Sequence, residues 1–158
     1  MVPLSCGEVA LTVLLALSAG IGYWLQRPAK ITDIWESPAY ATRQLRAGDK
    51  TFTVQLADSA DKQRLGLSNR VDIPPDRGML FTYDAAAADR CFWMKDMNFP
   101  IDIIWLDAKK RVVHIEAEVS PDTYPKTFCP DGPAQYVVEL HPGTAGRNGL
   151  TKGLTLSF

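Results

Sequence analysis

Turn-forming residues interrupt the chain every eight to twelve residues from Ala41 to the C-terminus. The segments between these turns favour β-branched and aromatic residues, which is typical of short strands with tight connections. The spacing therefore predicts a mainly β domain over residues 41–158. We expect a single compact β-sandwich or partly open barrel with one or two short helices.

The first two predicted strands, residues 41–47 and 50–57, flank the turn at Gly48-Asp49. Apolar and polar residues alternate in the second of them, as a half-buried hairpin strand requires. The pattern predicts an antiparallel hairpin at the start of the domain. Further strands are predicted at Gly78–Tyr83, Cys91–Lys95, Ile101–Leu106, Arg111–Val119, Gln135–Leu140 and Gly153–Ser157.

Local residue preferences predict two short helices and a long loop. Ser59, or Asp58 before it, is suited to cap a short helix that ends at Gly66. The alanines within Asp84–Asp89 favour a second helical turn. Ser120–Pro133 contains four prolines and a glycine, so we expect a long loop there.

An uncharged apolar run, residues 9–25, precedes the domain. Its seventeen residues are close to the shortest length that spans a membrane, and Tyr23 and Trp24 suit the interface. We expect residues 1–27 to be a transmembrane anchor or uncleaved signal and residues 28–40 to be a tether. A cleaved signal peptide is the alternative, although Lys and Arg are missing from its start.

Two observations disagree on the side of the membrane that the domain occupies. The nearby basic residues, from Arg27 to Arg46, all follow the span, which favours a cytoplasmic domain. Cys91 and Cys129 form an isolated pair in the domain, and such a pair favours a disulfide in an oxidising compartment. We favour a single-pass membrane protein with an extracytoplasmic domain.

Composition and charge exclude several classes of function. Seventeen basic and 18 acidic residues give a net charge of −1, so the chain lacks the basic field of a nucleic-acid-binding protein. Three cysteines are too few for a zinc site of four thiolates. A copper(I) site would use residues that the predicted strands place on different faces, so we expect no metal and no cofactor. These residues are Met79, Met94, Met97, His114 and His141.

Several segments resemble the bacterial and archaeal family filed as domain of unknown function 192. They are Arg64–Arg70 (RLGLSNR), Arg77–Phe81 (RGMLF), Phe92–Asp107, Tyr136–Leu140 (YVVEL) and His141–Gly153. The likeness covers roughly residues 50–157. It implies a compact, mainly β domain, often found behind a signal or anchor, with no established reaction. The sequence departs from the family pattern at Ser68, where Met is expected, and at Asp96-Met97, where Asn-Thr is common.

Charged residues next to apolar strands indicate a binding pocket. Lys95 shares one face of its predicted strand with Trp93, so a carboxylate such as Asp102 or Glu139 is expected to accompany it. Arg70 offers a planar guanidinium to an anionic group. We predict a site for a small anionic or polyhydroxyl ligand made by Arg70, Lys95, Asp102 and Glu139. A structural ion pair at the rim of a barrel is the alternative for Lys95.

Two other functions stay open at this point. A cell-envelope hydrolase or transferase would use Asp102 and Glu139, but no catalytic motif for a nucleophile, metal or phosphate is present, so an enzyme is the less favoured hypothesis. A structural protein would contact an envelope partner through the loop at Ser120–Pro133, with Tyr124 and Phe128 at the contact. The first hypothesis remains a membrane-anchored binding or accessory module.

Overall fold

The computed structural model describes residues 40–158, and its main element is a six-stranded mixed sheet. The strand order is β1-β2-β3-β8-β5-β6, and every neighbouring pair is antiparallel except β2 and β3. The predicted anchor at residues 1–27 and residues 28–39 of the tether lie outside the described residues. The strands of this sheet are β1 (Thr42–Ala47), β2 (Lys50–Ala57), β3 (Arg77–Ala87), β5 (Ile101–Leu106), β6 (Val112–Val119) and β8 (Ala134–Leu140).

Smaller elements complete the fold. A two-stranded sheet pairs β4 (Phe92–Trp93) with β7 (Thr127–Phe128), and a 3-10 helix spans Pro121–Thr123. The two α-helices are α1 (Ala60–Leu65) and α2 (Thr144–Arg147). The prediction of a mainly β domain with one or two short helices is therefore confirmed. None of the helices within residues 40–158 combines the length and apolar character that a membrane crossing requires.

The local predictions at the start of the domain are confirmed. β1 and β2 form the hairpin, with Leu45 opposite Phe52 and Gly48 in the turn at a φ of 59°. α1 begins after Ser59, whose side chain accepts a hydrogen bond from the backbone N–H of Lys62. It ends at Gly66, where φ is 52° and where glycine is the residue best suited to the left-handed conformation.

One local prediction is wrong. The predicted helical turn at Asp84–Asp89 is instead the end of β3, which continues to Ala87 and pairs there with Ala134 of β8. Alanine favours a helix only by a few tenths of a kcal/mol over most residues, so pairing with a neighbouring strand overrides it. The loop predicted at Ser120–Pro133 contains the 3-10 helix and β7.

The C-terminal segment brings the two edges of the six-stranded sheet close together. Ser157 exchanges two backbone hydrogen bonds with Arg46 of the edge strand β1. Val112 of the other edge strand, β6, donates to the carbonyl of Leu154. The predicted strand at Gly153–Ser157 is thus present only as isolated bridges. This arrangement is nearer to a partly open barrel than to a sandwich of two sheets.

The six-stranded sheet has two different faces. The first face carries the main hydrophobic core, which α2 and the C-terminal segment complete; its buried members include Leu45, Val54, Leu80, Ile104, Val138, Leu140, Ala145 and Leu156. The second face is covered by β4 and by the turn after α1. There Phe92 packs edge-on against Phe81 and Trp105, and Gly66 lies close to the Phe81 ring. The second face contains the candidate site.

Candidate functional site

A buried carboxyl group lies at the centre of the second face. Glu139 belongs to β8, and the register places it between Met79 of β3 and Ile103 of β5. Its side chain is only 5% exposed, and within residues 40–158 no group hydrogen-bonds to its Oε2 atom. Nearly all buried polar atoms in proteins have a partner, so this oxygen marks a place where a further group can bind.

Burial changes the protonation of this carboxyl group. Desolvation raises the pKa of Glu139 from its ordinary 4.5 to about 8, and the positive charge of Arg70 opposes that change. The carboxyl is therefore mainly neutral at pH 7. A neutral carboxylic acid donates one hydrogen bond and accepts others, which suits a hydroxyl or carbonyl group better than a cation.

Arg70 is the charged residue that interacts electrostatically with Glu139. Its guanidinium donates a hydrogen bond to Oε1 of Gln55 at 2.8 Å and lies 5.6 Å from the centre of the Tyr40 ring. Burial lowers the pKa of Arg70, whereas Tyr40 and Glu139 raise it. The structure therefore brings Arg70 within electrostatic range of Glu139, although Arg70 does not line the open cleft.

A cleft opens over Glu139 on the second face. Its inner cavity measures about 300 Å³ and has Glu139, Phe81 and Tyr83 among its lining residues. The residues from Gln63 to Ser68 form one wall, and Phe92, Trp93 and Met97 contribute to the other. A concave site with aromatic walls and a few polar groups is the usual form of a small-molecule site.

An outer cavity of about 320 Å³ adjoins the inner one and shares four of its residues. The shared residues are Arg64, Leu65, Ser68 and Trp93. Lys95 lines the outer cavity, and its Nζ lies 5.8 Å from the centre of the Trp93 ring. Lys95 is exposed to solvent, so it lies at the mouth of the cleft and not beside the buried carboxyl.

Hydrogen bonds between two loops hold the walls of the cleft together. The Ser68 hydroxyl donates to the carbonyl of Lys95 at 2.9 Å, and the Asn69 N–H donates to the carbonyl of Asp96 at 2.7 Å. Asn69 and Asp96 both have positive φ, at 63° and 57°. Left-handed backbone at non-glycine residues costs free energy and often occurs at binding sites. The cleft is thus shaped by the fold before any ligand enters.

The predicted disulfide is confirmed and borders the cleft. Cys91 and Cys129 are joined with an S–S distance of 2.02 Å. The bond ties the residue before β4 to the residue after β7, and Cys91 itself lines the inner cavity. It therefore holds the wall that carries Phe92 and Trp93.

Asp102 does not line the cleft, in contrast to its predicted place in the pocket. It pairs in register with Leu140, one residue beyond Glu139, so its side chain points to the first face of the sheet. It is fully buried and accepts hydrogen bonds from the backbone N–H groups of Glu118, Gly143 and Ala145. Asp102 fixes the backbone around α2. The hypothesis of an enzyme that uses Asp102 and Glu139 as a pair lacks the required geometry.

Other predicted residues also have structural partners. Phe128 is buried, so it is not available to an envelope partner, whereas Tyr124 is 46% exposed and contacts Trp93 edge-on.

His114 lies against Trp105 and within 3.0 Å of Asp131. In the part of the chain that the structure describes, no group of three or more His, Cys, Asp or Glu residues is arranged to hold a metal ion.

Residues of the cleft that the sequence did not identify are mainly aromatic. Phe81 and Tyr83 line the inner cavity from β3, and Trp93 lines both cavities. The available signal was the alternation in β4, which places Trp93 outward while Phe92 and Met94 point inward. Trp93 and Lys95 therefore share the outward face of this segment, and both line the outer cavity.

Comparisons with known proteins agree with the fold. A crystal structure of a putative transcription regulator from Sinorhizobium meliloti is 28% identical, with a TM-score of 0.70, and the match covers 75% of this chain and 94% of that chain. A protein of unknown function from Novosphingobium aromaticivorans is 26% identical, with a TM-score of 0.64 and coverage of 75% and 85%. A search of curated proteins found no match.

The comparison with protein families identifies the domain. The model of the DUF192 family, described as "Uncharacterized ACR", matches residues 43–158. This range contains β1 to β8 almost entirely, both helices, the disulfide and the whole cleft. The chain belongs to the DUF192 family.

Proposed function

We propose that this protein is a binding module that holds a small polar ligand in the cleft over Glu139. The observation that carries the proposal is the Oε2 atom of Glu139, which is buried at the cleft and has no partner within residues 40–158. A buried polar atom without a hydrogen bond costs about 1–3 kcal/mol. A ligand that supplies the missing bond recovers that free energy, so the site favours occupation.

The surroundings of Glu139 support a ligand with hydroxyl or carbonyl groups. The neutral carboxyl both donates and accepts, and the aromatic rings of Phe81, Tyr83 and Phe92 line the same cavity. Lys95 and Arg64 add positive charge at the mouth of the cleft. These features match the predicted class of small anionic or polyhydroxyl ligands.

We place the module at the outer side of the cell membrane, held by residues 9–25. The disulfide supports this location, since such bonds persist in oxidising compartments. Treatment of spheroplasts with a protease tests it: an extracytoplasmic domain is degraded while cytoplasmic proteins survive. Protection of the domain would contradict the location and would agree with the basic residues that follow the apolar run.

The structurally similar protein from S. meliloti is described as a putative transcription regulator. The net charge of −1 provides no basic field for DNA, and the cleft is lined by aromatic and neutral groups more than by cations. A DNA-binding function therefore has no supporting feature in the described domain.

Native mass spectrometry of the full chain, purified from its own cells, tests the proposed function. We expect a non-covalent adduct on the wild-type protein. Glu139→Leu has a similar volume but neither donates nor accepts a hydrogen bond, so it should lose the adduct. The control Asp49→Asn alters an exposed carboxylate in the β1–β2 turn and should retain it. An adduct that persists in Glu139→Leu would contradict the proposal.

A further inference from the structure

Trp93 presents a flat apolar surface at the junction of the two cavities. Its side chain is 51% exposed, although large hydrophobic residues are usually buried, and it lines both the inner and the outer cavity. Tyr124 packs against it with 5.8 Å between ring centres, and the Cys91–Cys129 bond lies two residues away. An exposed indole with this support is suited to stacking against a ligand.

Polar groups surround this surface on the side of the inner cavity. Glu139 offers its Oε2 atom, which has no hydrogen-bond partner among residues 40–158, and Tyr83 is one of the other polar side chains in the same lining. A ligand that satisfies both the indole and the carboxyl must have an apolar face and hydroxyl groups at its edge. Sugar rings have this combination, since the C–H groups form one face and the hydroxyls lie around the ring.

The outer cavity adds a preference for negative charge. Arg64 and Lys95 line it, together with one acidic residue, Asp96. Arg64 already pairs with Asp61 at 3.1 Å, whereas no ion pair joins Lys95 to a carboxylate within residues 40–158. The Lys95 ammonium, which lies 5.8 Å from the centre of the Trp93 ring, is therefore the positive charge of this cavity that has no carboxylate partner among residues 40–158.

From these three features we infer that the ligand is an anionic saccharide. One ring stacks on Trp93, a hydroxyl group reaches the Glu139 carboxyl in the inner cavity, and a carboxylate or phosphate group faces Lys95 in the outer cavity. This inference rests on the proposed function, which names the cleft as a ligand site but not the chemistry of its ligand.

The detergent-solubilised full chain tests the inference on an array of oligosaccharides. The array contains neutral sugars and sugars that carry hexuronate, N-acetylmuramate or phosphate groups. Calorimetry then compares the best anionic binder with its neutral counterpart. We expect the anionic sugar to bind more tightly, and the difference to shrink at high salt because Lys95 is exposed.

Variants separate the roles of the two residues. Trp93→Ala should weaken both sugars about tenfold through the loss of stacking, with Trp93→Phe intermediate. Lys95→Gln should weaken only the anionic sugar, roughly two- to fivefold, and Lys95→Arg should restore it. The exposed controls Val71→Ala and Lys50→Gln should change neither affinity. Circular dichroism of each variant checks that the fold is intact.

The outcomes distinguish the inference from the proposed function. If no saccharide binds while native mass spectrometry shows a Glu139-dependent adduct of other chemistry, the inference is overturned and the proposed function stands. Saccharide binding that is insensitive to Trp93→Ala also overturns the inference. If neither a saccharide nor any adduct binds, both fail.

Discussion

Two buried carboxyl groups lie on neighbouring central strands, and their surroundings differ completely. Asp102 of β5 faces the first face of the sheet, where three backbone N–H groups donate to it at 2.7–2.9 Å. Glu139 of β8 faces the second face, where its Oε2 atom has no partner within residues 40–158. Both side chains are at most 5% exposed.

The two faces of the sheet therefore differ in how their buried carboxyl groups affect the stability of the fold. The first face carries the main apolar core, and its buried acid Asp102 accepts hydrogen bonds that hold the backbone around α2. The second face gives up some stability, because burial keeps Glu139 neutral and leaves an oxygen unsatisfied at a cleft. Sites that bind ligands commonly keep such local costs. We therefore propose a structural role for Asp102 and a ligand-binding role for Glu139.

Removal of the Asp102 carboxyl group should have the largest effect on the free energy of unfolding. Asp102→Ala leaves three buried N–H groups without an acceptor, and we expect it to lower the free energy of unfolding by about 4 kcal/mol or more. Urea unfolding of the full chain measures this. The control Asp49→Ala removes an exposed carboxylate and should cost little. A decrease of less than about 1 kcal/mol for Asp102→Ala would contradict the structural role of Asp102.

Loss of the disulfide should affect the second face selectively. The bond closes a loop of 38 residues, so replacing Cys91 and Cys129 by serine should cost about 3–4 kcal/mol. Hydrogen exchange should show the increased opening at β4 and β7, with the six-stranded sheet protected. Equal loss of protection in β1 and β6 would show that the two faces do not behave separately.

The buried Glu139 carboxyl group should make the free energy of unfolding depend on pH. Above pH 4.5 the unfolded chain loses the Glu139 proton, whereas the folded chain keeps it up to about pH 8. The free energy of unfolding therefore falls as pH rises through this window. Between pH 5 and 7 the wild type should lose about 2 kcal/mol relative to Glu139→Gln. An identical pH dependence in wild type and Glu139→Gln would show that Glu139 is ionised in the fold.

Lys95 at the mouth of the cleft should matter least for stability. It is exposed, so Lys95→Ala should change the free energy of unfolding by less than about 0.5 kcal/mol. Ligand binding should nevertheless weaken, as measured by the amount of adduct in native mass spectrometry. Unfolding of Lys95→Ala would contradict the position of Lys95 at the exposed mouth of the cleft.

The sequence was sufficient for those features that depend on neighbouring residues. Alternation around Phe52 predicted the hairpin, and Ser59 and Gly66 predicted the limits of α1. It was insufficient at Asp84–Asp89, because the deciding contact is with Ala134, almost fifty residues later in the chain. Propensity is a local quantity, and strand pairing at that separation overrides it.

The site was predictable only in part for the same reason. Alternation along β8 places Glu139 away from Val138 and Leu140, and the structure agrees. Whether Asp102 joins Glu139 depends on the register between β5 and β8, which are far apart in sequence. A shift of one residue moves a side chain to the opposite face, so the sequence alone could not separate the two acids.

Titration of the Glu139 carboxyl tests this account most directly. Carbon-13 NMR of the full chain, with the resonance assigned through Glu139→Gln, follows its side-chain carboxyl from pH 4 to pH 10. We predict a titration with a pKa of about 8, well above the ordinary 4.5. A titration near 4.5 would show an ionised, solvated carboxylate and would contradict the assignment of Glu139 as the buried, neutral ligand-binding group.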